Sequence, residues 1–211
     1  QTDKLAIKRI KEDKELPYMI DPSAGSGTFL IEYMKFITKN MKYRNRNADG
    51  YNALLGTARA VKDKVLSDWF YPNHRENKWA QTYIYGSEIN FNLGTAAKVN
   101  MILHGDGSTN IFVKDGLLPF SKYEKETAPN ALHGSDKNEL YQNREVNGQF
   151  DLILTNPPFS VELDNDTKKS VKHDFMFGEK KNSENLFVER WYQLLRENGR
   201  LAAVLPESVF D

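Results

Sequence analysis

A chain of 211 residues, 39% hydrophobic and 12% aromatic, can bury one substantial core and reads as a single domain. With 29 basic and 29 acidic residues its formal net charge is zero, so the whole molecule has no field that would draw in a polyanion. Cysteine is absent, which excludes disulfides and cysteine-ligated metal and fits a reducing cytoplasm; no apolar run is long enough to span a bilayer, and the opening Gln1-Thr2-Asp3-Lys4 is not a signal peptide, so a soluble protein is expected.

The first predicted strand, 18–20, runs into Asp21-Pro22-Ser23-Ala24-Gly25-Ser26-Gly27-Thr28-Phe29-Leu30 and then a helical pattern to residue 41. Glycines at 25 and 27 let the backbone turn tightly and approach a ligand, and the start of the helix offers free N–H groups. This is the layout of a nucleotide-type site. A phosphate loop would need G-x-x-x-x-G-K-S/T, and no such lysine follows; a dinucleotide fingerprint would need a third glycine where Leu30 stands. What remains is a cofactor with an adenosine end but no pyrophosphate. Phe29 is expected to pack its helix on the sheet.

The stretch 43–80 is longer than a helix-to-strand link needs, and 58–66 suggests an extra helix inside it. A strand at 83–87 ends in Glu88, whose carboxylate could accept hydrogen bonds from both hydroxyls of a ribose, although glutamate is common on any surface. A helix at 90–103 follows, then Asp106, which would cap a turn with Gly105 and Gly107. A third strand at 111–113 leads to Asp115-Gly116-Leu117. A second long insertion, polar and rich in Asn, Asp, Glu and Gly, covers 122–148.

The strand at 152–155 runs straight into Asn156-Pro157-Pro158-Phe159. Each proline removes a backbone donor, fixes φ and biases its predecessor toward extended geometry, so the strand must end in a stiff turn. Such a turn can be a mere strand terminator. It can also present the Asn156 amide and nearby carbonyls as fixed acceptors beside an aromatic face, which suits a flat ligand bearing an exocyclic NH2, such as a nucleobase. Lys168, Lys169, Lys172, Lys180 and Lys181 crowd the following loop, either as a solvated segment or as one that closes over phosphates. A helix at 184–195 carries Leu186, Phe187, Trp191, Leu194 and Leu195 at helical spacing, and a strand at 201–205 ends the series. Alternating strands and helices imply an α/β fold, a parallel sheet with helices on both faces.

The pairing of the 21–30 segment with Asn156-Pro157-Pro158-Phe159 resembles the S-adenosylmethionine-dependent DNA adenine-N6 methyltransferases. Within them the chain is most similar to the modification subunit of type I restriction–modification systems. That likeness is carried by Tyr85-Gly86-Ser87-Glu88-Ile89-Asn90, the helix from Ala96 to Gly105, Lys114-Asp115-Gly116-Leu117, Ser183-Glu184-Asn185-Leu186-Phe187, and the closing Asn198-Gly199-Arg200-Leu201-Ala202-Ala203-Val204-Leu205-Pro206-Glu207. The matching blocks span 18–210, with 42–80 and 121–149 matching poorly.

The resemblance implies a Rossmann-like class I methyltransferase fold and adenine-specific DNA methyl transfer. Asp21 and the turn with Ser23, Gly25, Ser26 and Gly27 would lie against the methionine half of S-adenosylmethionine, Glu88 at its ribose and Asp115 at its adenine amino group, with Thr28 and Gly116 also binding the cofactor. Ile89 and Leu117 would sandwich the adenine or serve as ordinary core. Asn156, Pro157, Pro158 and Phe159 would receive a flipped-out adenine, with no metal required. Double-stranded DNA, a separate specificity subunit and a restriction (nuclease) subunit are the implied partners. The segment before the first strand that helps hold the methionine carboxylate, and the last two of seven strands, are expected to be missing, leaving 201–205 as an open edge. Asn-Pro-Pro with an aromatic also occurs in methyltransferases of RNA bases and of protein glutamine, and a non-catalytic cofactor-binding scaffold is a third reading. Phe159 and the subunit-like blocks favour DNA adenine.

Overall fold

In a computed structural model, residues 2–13, 15–39, 77–105, 110–118, 148–178 and 183–209 are described. They comprise α1 (Thr2–Asp13), β1 (Met19–Asp21), α2 (Thr28–Thr38), α3 (Ala80–Tyr83), β2 (Ile84–Ser87), α4 (Phe91–Leu103), β3 (Ile111–Phe112), β4 (Phe150–Thr155), α5 (Asn165–Asp174), α6 (Ser183–Leu194), β5 (Leu195–Ala203) and a 3-10 turn at Glu207–Val209. The strands form one sheet in the order β3-β2-β1-β4-β5, and every pairing is parallel. The expected helix at 58–66, nearly all of the insertions at 43–80 and 122–148, and Asp106, Gly107, Lys180 and Lys181 lie outside the described residues.

Successive strand residues point to opposite faces, and this sheet is covered on both. Met19, Ile84 and Leu152 enter a core with Ile10 of α1, Leu30, Met34 and Ile37 of α2, and Ala97 and Met101 of α4. Their neighbours Ile20, Tyr85 and Ile153 enter a second core with Val171 of α5 and Leu186, Trp191 and Leu194 of α6. The expected parallel sheet with helices on both faces is therefore observed. Among the described residues no helix is long and apolar enough to cross a membrane.

One element was not expected, and three expectations are corrected. The stretch before β1 is a helix: Ala6 and Ile10, four apart, pack into the first core, while Arg9 Nε reaches Asp151 Oδ1 at 3.2 Å. Asp151 lies at the start of β4, so α1 braces the sheet at the edge opposite Asn156. The lysine-bearing segment is not a loop as far as Asp174. Asp164 accepts the N–H groups of Asp166 and Thr167 at 2.8 and 2.9 Å and starts α5, which carries Lys168, Lys169 and Lys172.

Phe29 does not pack on the sheet but stays 36% exposed, because the first turn of α2 turns Leu30 and Ile31 inward instead. The last strand begins at Leu195 and ends at Ala203. Phe150 pairs with Leu195 but Leu152 with Arg200, so Arg196 to Gly199 form an irregularity within the strand, with Asn198 at φ 62°. β5 is an edge of the described sheet, as expected of the 201–205 segment, and an apolar groove lined by Phe177, Val188, Trp191, Leu201, Leu205 and Val209 runs beside it.

Candidate active site

Parallel strands finish on the same edge of a sheet. β1 and β4 are neighbours, with Met19 opposite Leu152 and Ile20 opposite Ile153, so the chain leaves them side by side at Asp21 and Thr155. The glycine-bearing loop and the Asn156 turn therefore meet. Ser23 Oγ lies 2.7 Å from Thr155 Oγ1, and the Ser23 N–H donates to Asp21 Oδ1 at 3.0 Å. Asp21 is 1% exposed. Burial pushes its pKa up to about 7; hydrogen bonds from Thr155 and Ser23 pull the other way, and the Glu88 charge adds to the rise.

Gly25 and Gly27 have φ of 55° and 84°, the left-handed region where a side chain is strained. The Gly25 N–H donates to Glu88 Oε2 at 2.8 Å, and Glu88 Oε1 accepts the Asn90 N–H at 2.8 Å. The carboxylate at the end of β2 is thus fixed against the loop after β1, and each oxygen keeps lone-pair capacity for a further donor. Asn100 of α4 donates to the Ser26 carbonyl at 3.0 Å, and Ser26 Oγ lies 3.4 Å from the hydroxyl of Thr28, where α2 begins.

The loop after β3 presses on the same place. A Cβ on Gly116 would stand 2.0 Å from the Pro22 carbonyl oxygen, so only glycine fits. Asp115, 8% exposed, accepts the Leu117 N–H at 2.9 Å on Oδ1 and the Thr167 hydroxyl at 2.8 Å on Oδ2. Leu117 is wholly buried in the second core, whereas Ile89 is 59% exposed beside Glu88, so the two do not form a symmetric pair. Arg190 of α6, fully buried, donates from Nε to the Gly116 carbonyl at 2.9 Å and from Nη2 to that of Leu118, with its guanidinium over the Phe175 ring.

At the turn itself Pro157 is buried while Asn156, Pro158 and Phe159 are exposed. Ser160, next in the chain, has φ 53°, a conformation that costs a non-glycine residue roughly 1–2 kcal/mol. Its N–H and hydroxyl both point at Glu184 Oε1, at 2.7 and 3.4 Å. Burial pushes the Glu184 carboxyl up, but hydrogen bonds from its own backbone N–H, from Ser160 and from Ser183 together outweigh it and hold the pKa below the ordinary glutamate value. Lys168, Lys169 and Lys172 lie exposed on α5, Lys168 Nζ 3.2 Å from Glu162.

Sequence reasoning thus missed Thr167, Arg190 and the role of Glu184. Arg190 sits in the middle of an apolar helical stripe, and that was its only signal.

A family model described as N-6 DNA Methylase matches residues 2–211. The chain is 28% identical over 192 residues to the type II restriction enzyme and methyltransferase RM.BcgI of Heyndrickxia coagulans, a match covering 90% of this chain and 20% of that protein. Its fold is similar to that of the type I restriction enzyme EcoKI M protein, with a TM-score of 0.51 at 20% identity over 99% of this chain and 34% of that one. It is similar also to the DNA-bound type ISP restriction–modification enzyme LlaBIII, with a TM-score of 0.51 at 13% identity over 100% of this chain and 14% of that one. The chain therefore spans about a fifth of the curated relative's length. The fold is the Rossmann-like α/β architecture of methyltransferases.

Proposed function

Because the chain belongs to the N-6 DNA methylase family, we propose that it transfers a methyl group from S-adenosylmethionine to the N6 amino group of a flipped-out adenine in DNA. Residues 1–211 act as one catalytic domain in the modification subunit of a type I restriction–modification system. The observation that carries this reading is the 2.7 Å hydrogen bond between Ser23 and Thr155, which joins a glycine loop of cofactor-binding type to a turn of base-binding type.

The residues fit the cofactor. Gly25 and Gly27 hold a left-handed loop open, Gly116 lets the loop after β3 close against Pro22 of that loop, and Asp21 and Glu88 put two buried carboxyl groups on the same edge. Asp21 and the Ser23 to Thr28 turn would hold the methionine half, Glu88 the ribose hydroxyls, and Asp115, Gly116 and the exposed face of Ile89 the adenine, with Leu117 supporting from the core. S-adenosylmethionine, when bound, supplies an activated methyl on a sulfonium.

The chain's own residues prepare the acceptor. A base amine delocalises its lone pair into the ring and is a poor nucleophile until its hydrogens are drawn to acceptors. Asn156 Oδ1 and the Pro157 carbonyl accept those hydrogens, which turns the nitrogen toward tetrahedral geometry and aims its lone pair away from the ring. Within a duplex that amine is buried, so the adenine must leave the stack at a cost of a few kcal/mol. Phe159, 44% exposed, offers a replacement surface worth about 1–3 kcal/mol. Lys168, Lys169 and Lys172 lie on the helix that follows and suit backbone phosphates. Specificity and restriction subunits would join as partners in the assembled system, and LlaBIII, a relative in fold, is bound to DNA.

Tritiated S-adenosylmethionine supplied to the full chain and its partner subunits tests the reading. Label should appear in N6-methyladenine of DNA. Label in RNA or in protein glutamine, or cofactor binding with no transfer to any acceptor, would replace it with another function.

A further inference from the structure

Asn156 and Phe159 are both exposed, so their placement depends on the backbone that carries them. That backbone is in an unusual state directly after Phe159, where Ser160 is a non-glycine residue at φ 53°. It is gripped from α6, 24 residues further on: Glu184, 6% exposed, accepts the Ser160 N–H at 2.7 Å and its hydroxyl at 3.4 Å on the same oxygen. The other oxygen is fixed in turn, since Ser183 Oγ donates to Glu184 Oε2 at 3.1 Å while accepting the Val161 N–H at 3.3 Å. Both ends of the grip are anchored. α6 is locked into the second core by Leu186, Phe187, Trp191 and Leu194, and β4 is paired on both sides. Without an acceptor at 184 the left-handed residue would lose what offsets its strain and relax, swinging Phe159 and Asn156.

We propose that Glu184 is a positioning residue for methyl transfer, its carboxylate holding the Ser160 backbone so that Asn156 and Phe159 face the acceptor base. The proposal rests on the reading of the 156–159 turn as the base-binding element, and it concerns hydrogen-bond acceptance rather than charge. A glutamine at 184 keeps an acceptor oxygen at the same reach, whereas alanine removes it and aspartate falls one methylene short.

The test compares Glu184→Ala, Glu184→Asp and Glu184→Gln in the full chain with its partners, using tritium transfer to genomic DNA, S-adenosylmethionine affinity by calorimetry, and hydrogen exchange of the 156–161 peptide. Tyr192→Ala, 84% exposed on the same helix, is the control for general disturbance of α6. Glu184→Ala and Glu184→Asp should lower kcat by about ten- to a hundredfold, the scale of a misplaced reacting group, and speed exchange at 160 and 161 while cofactor affinity stays within about twofold. Glu184→Gln should restore most of the rate and protection, and Glu184→Asp is the variant to read if the alanine protein does not fold. Equal losses in the glutamine and alanine proteins, a fall in cofactor affinity matching the fall in rate, or unchanged exchange at 160 would each overturn the assignment. If the unaltered protein labels something other than DNA adenine, the proposed function fails separately from this inference, because the ordering of the three variants in exchange still reads the grip itself.

Discussion

Ser23 Oγ and Thr155 Oγ1 lie 2.7 Å apart although 132 residues separate them, and this contact ties the loop after β1 to the last residue of β4. Thr155 is wholly buried, and its hydroxyl also serves Asp21, so removing the oxygen takes a hydrogen-bond partner from both residues of the loop. Thr155→Val should lower stability by about 1 kcal/mol, the usual net worth of such a bond, with Thr155→Ser costing less. Urea unfolding measures both; a valine protein as stable as the parent would show that the two hydroxyls do not interact.

Asp21 makes the site pH-dependent. Its pKa is raised from 3.8 in the free residue to about 7, chiefly by burial, so the folded state binds a proton that the unfolded chain has released over that range. Stability from this group is therefore full below pH 3.8, falls as pH rises toward about 7, and is flat above. Glu184 and Asp164 have the opposite sign: their lowered pKa values stabilise above the ordinary carboxylate range and lose that contribution as pH falls through it. Asp21→Asn should flatten the decline between about pH 4 and 7 and exceed the parent in stability at about pH 8 by up to about 4 kcal/mol, while weakening cofactor binding. Unfolding midpoints across pH check the sign, and a parent slope that persists in the asparagine protein would assign the titration elsewhere.

Two glycines separate a conformational cost from a steric one. An alanine at Gly25 meets nothing within 4 Å and has only φ 55° against it, whereas an alanine at Gly116 would drive a methyl to 2.0 Å from the Pro22 carbonyl. Gly25→Ala should cost roughly 1–2 kcal/mol with binding reduced modestly. Gly116→Ala should pry the loop after β3 from the loop after β1 and lower S-adenosylmethionine affinity far more than Gly25→Ala does. Calorimetric titration of both proteins decides it, and equal affinities would mean the two loops do not share a ligand.

What could be read in advance followed from short-range pattern. The consecutive apolar residues Leu152 and Ile153 signalled a strand buried on both faces, and Asn156-Pro157-Pro158-Phe159 signalled where it stops. Boundaries were less legible where polar residues are structural. Asp164 starts a helix in a run that looks like a charged loop, and Arg196 to Gly199 resemble a turn yet are absorbed within β5. The grip of Glu184 on Ser160 and of Arg190 on Gly116 could not be read at all, since each joins segments whose approach depends on the whole sheet. The glycine loop and the turn were expected in one site, and the adjacency of β1 and β4 supplies the reason they are neighbours.

Phe159 should act on engagement of the base rather than on transfer. With 44% of it open to solvent, its loss leaves the core intact, so Phe159→Ala should fold normally and bind S-adenosylmethionine as before. KM for DNA should rise by about five- to a hundredfold, equivalent to about 1–3 kcal/mol of stacking, with Phe159→Trp near the parent. Steady-state methylation against DNA concentration separates this from a rate effect; an alanine protein with unchanged KM and reduced kcat would remove Phe159 from the stacking role.

Asn156→Ala in a single-turnover assay bears most directly on the pairing of the two motifs. If the Asn156 amide draws hydrogens from the acceptor amine beside a cofactor held at Gly25 and Gly27, methyl transfer from saturating S-adenosylmethionine should fall by about a hundredfold or more, while cofactor affinity stays within about twofold. A rate equal to that of the parent protein would contradict it.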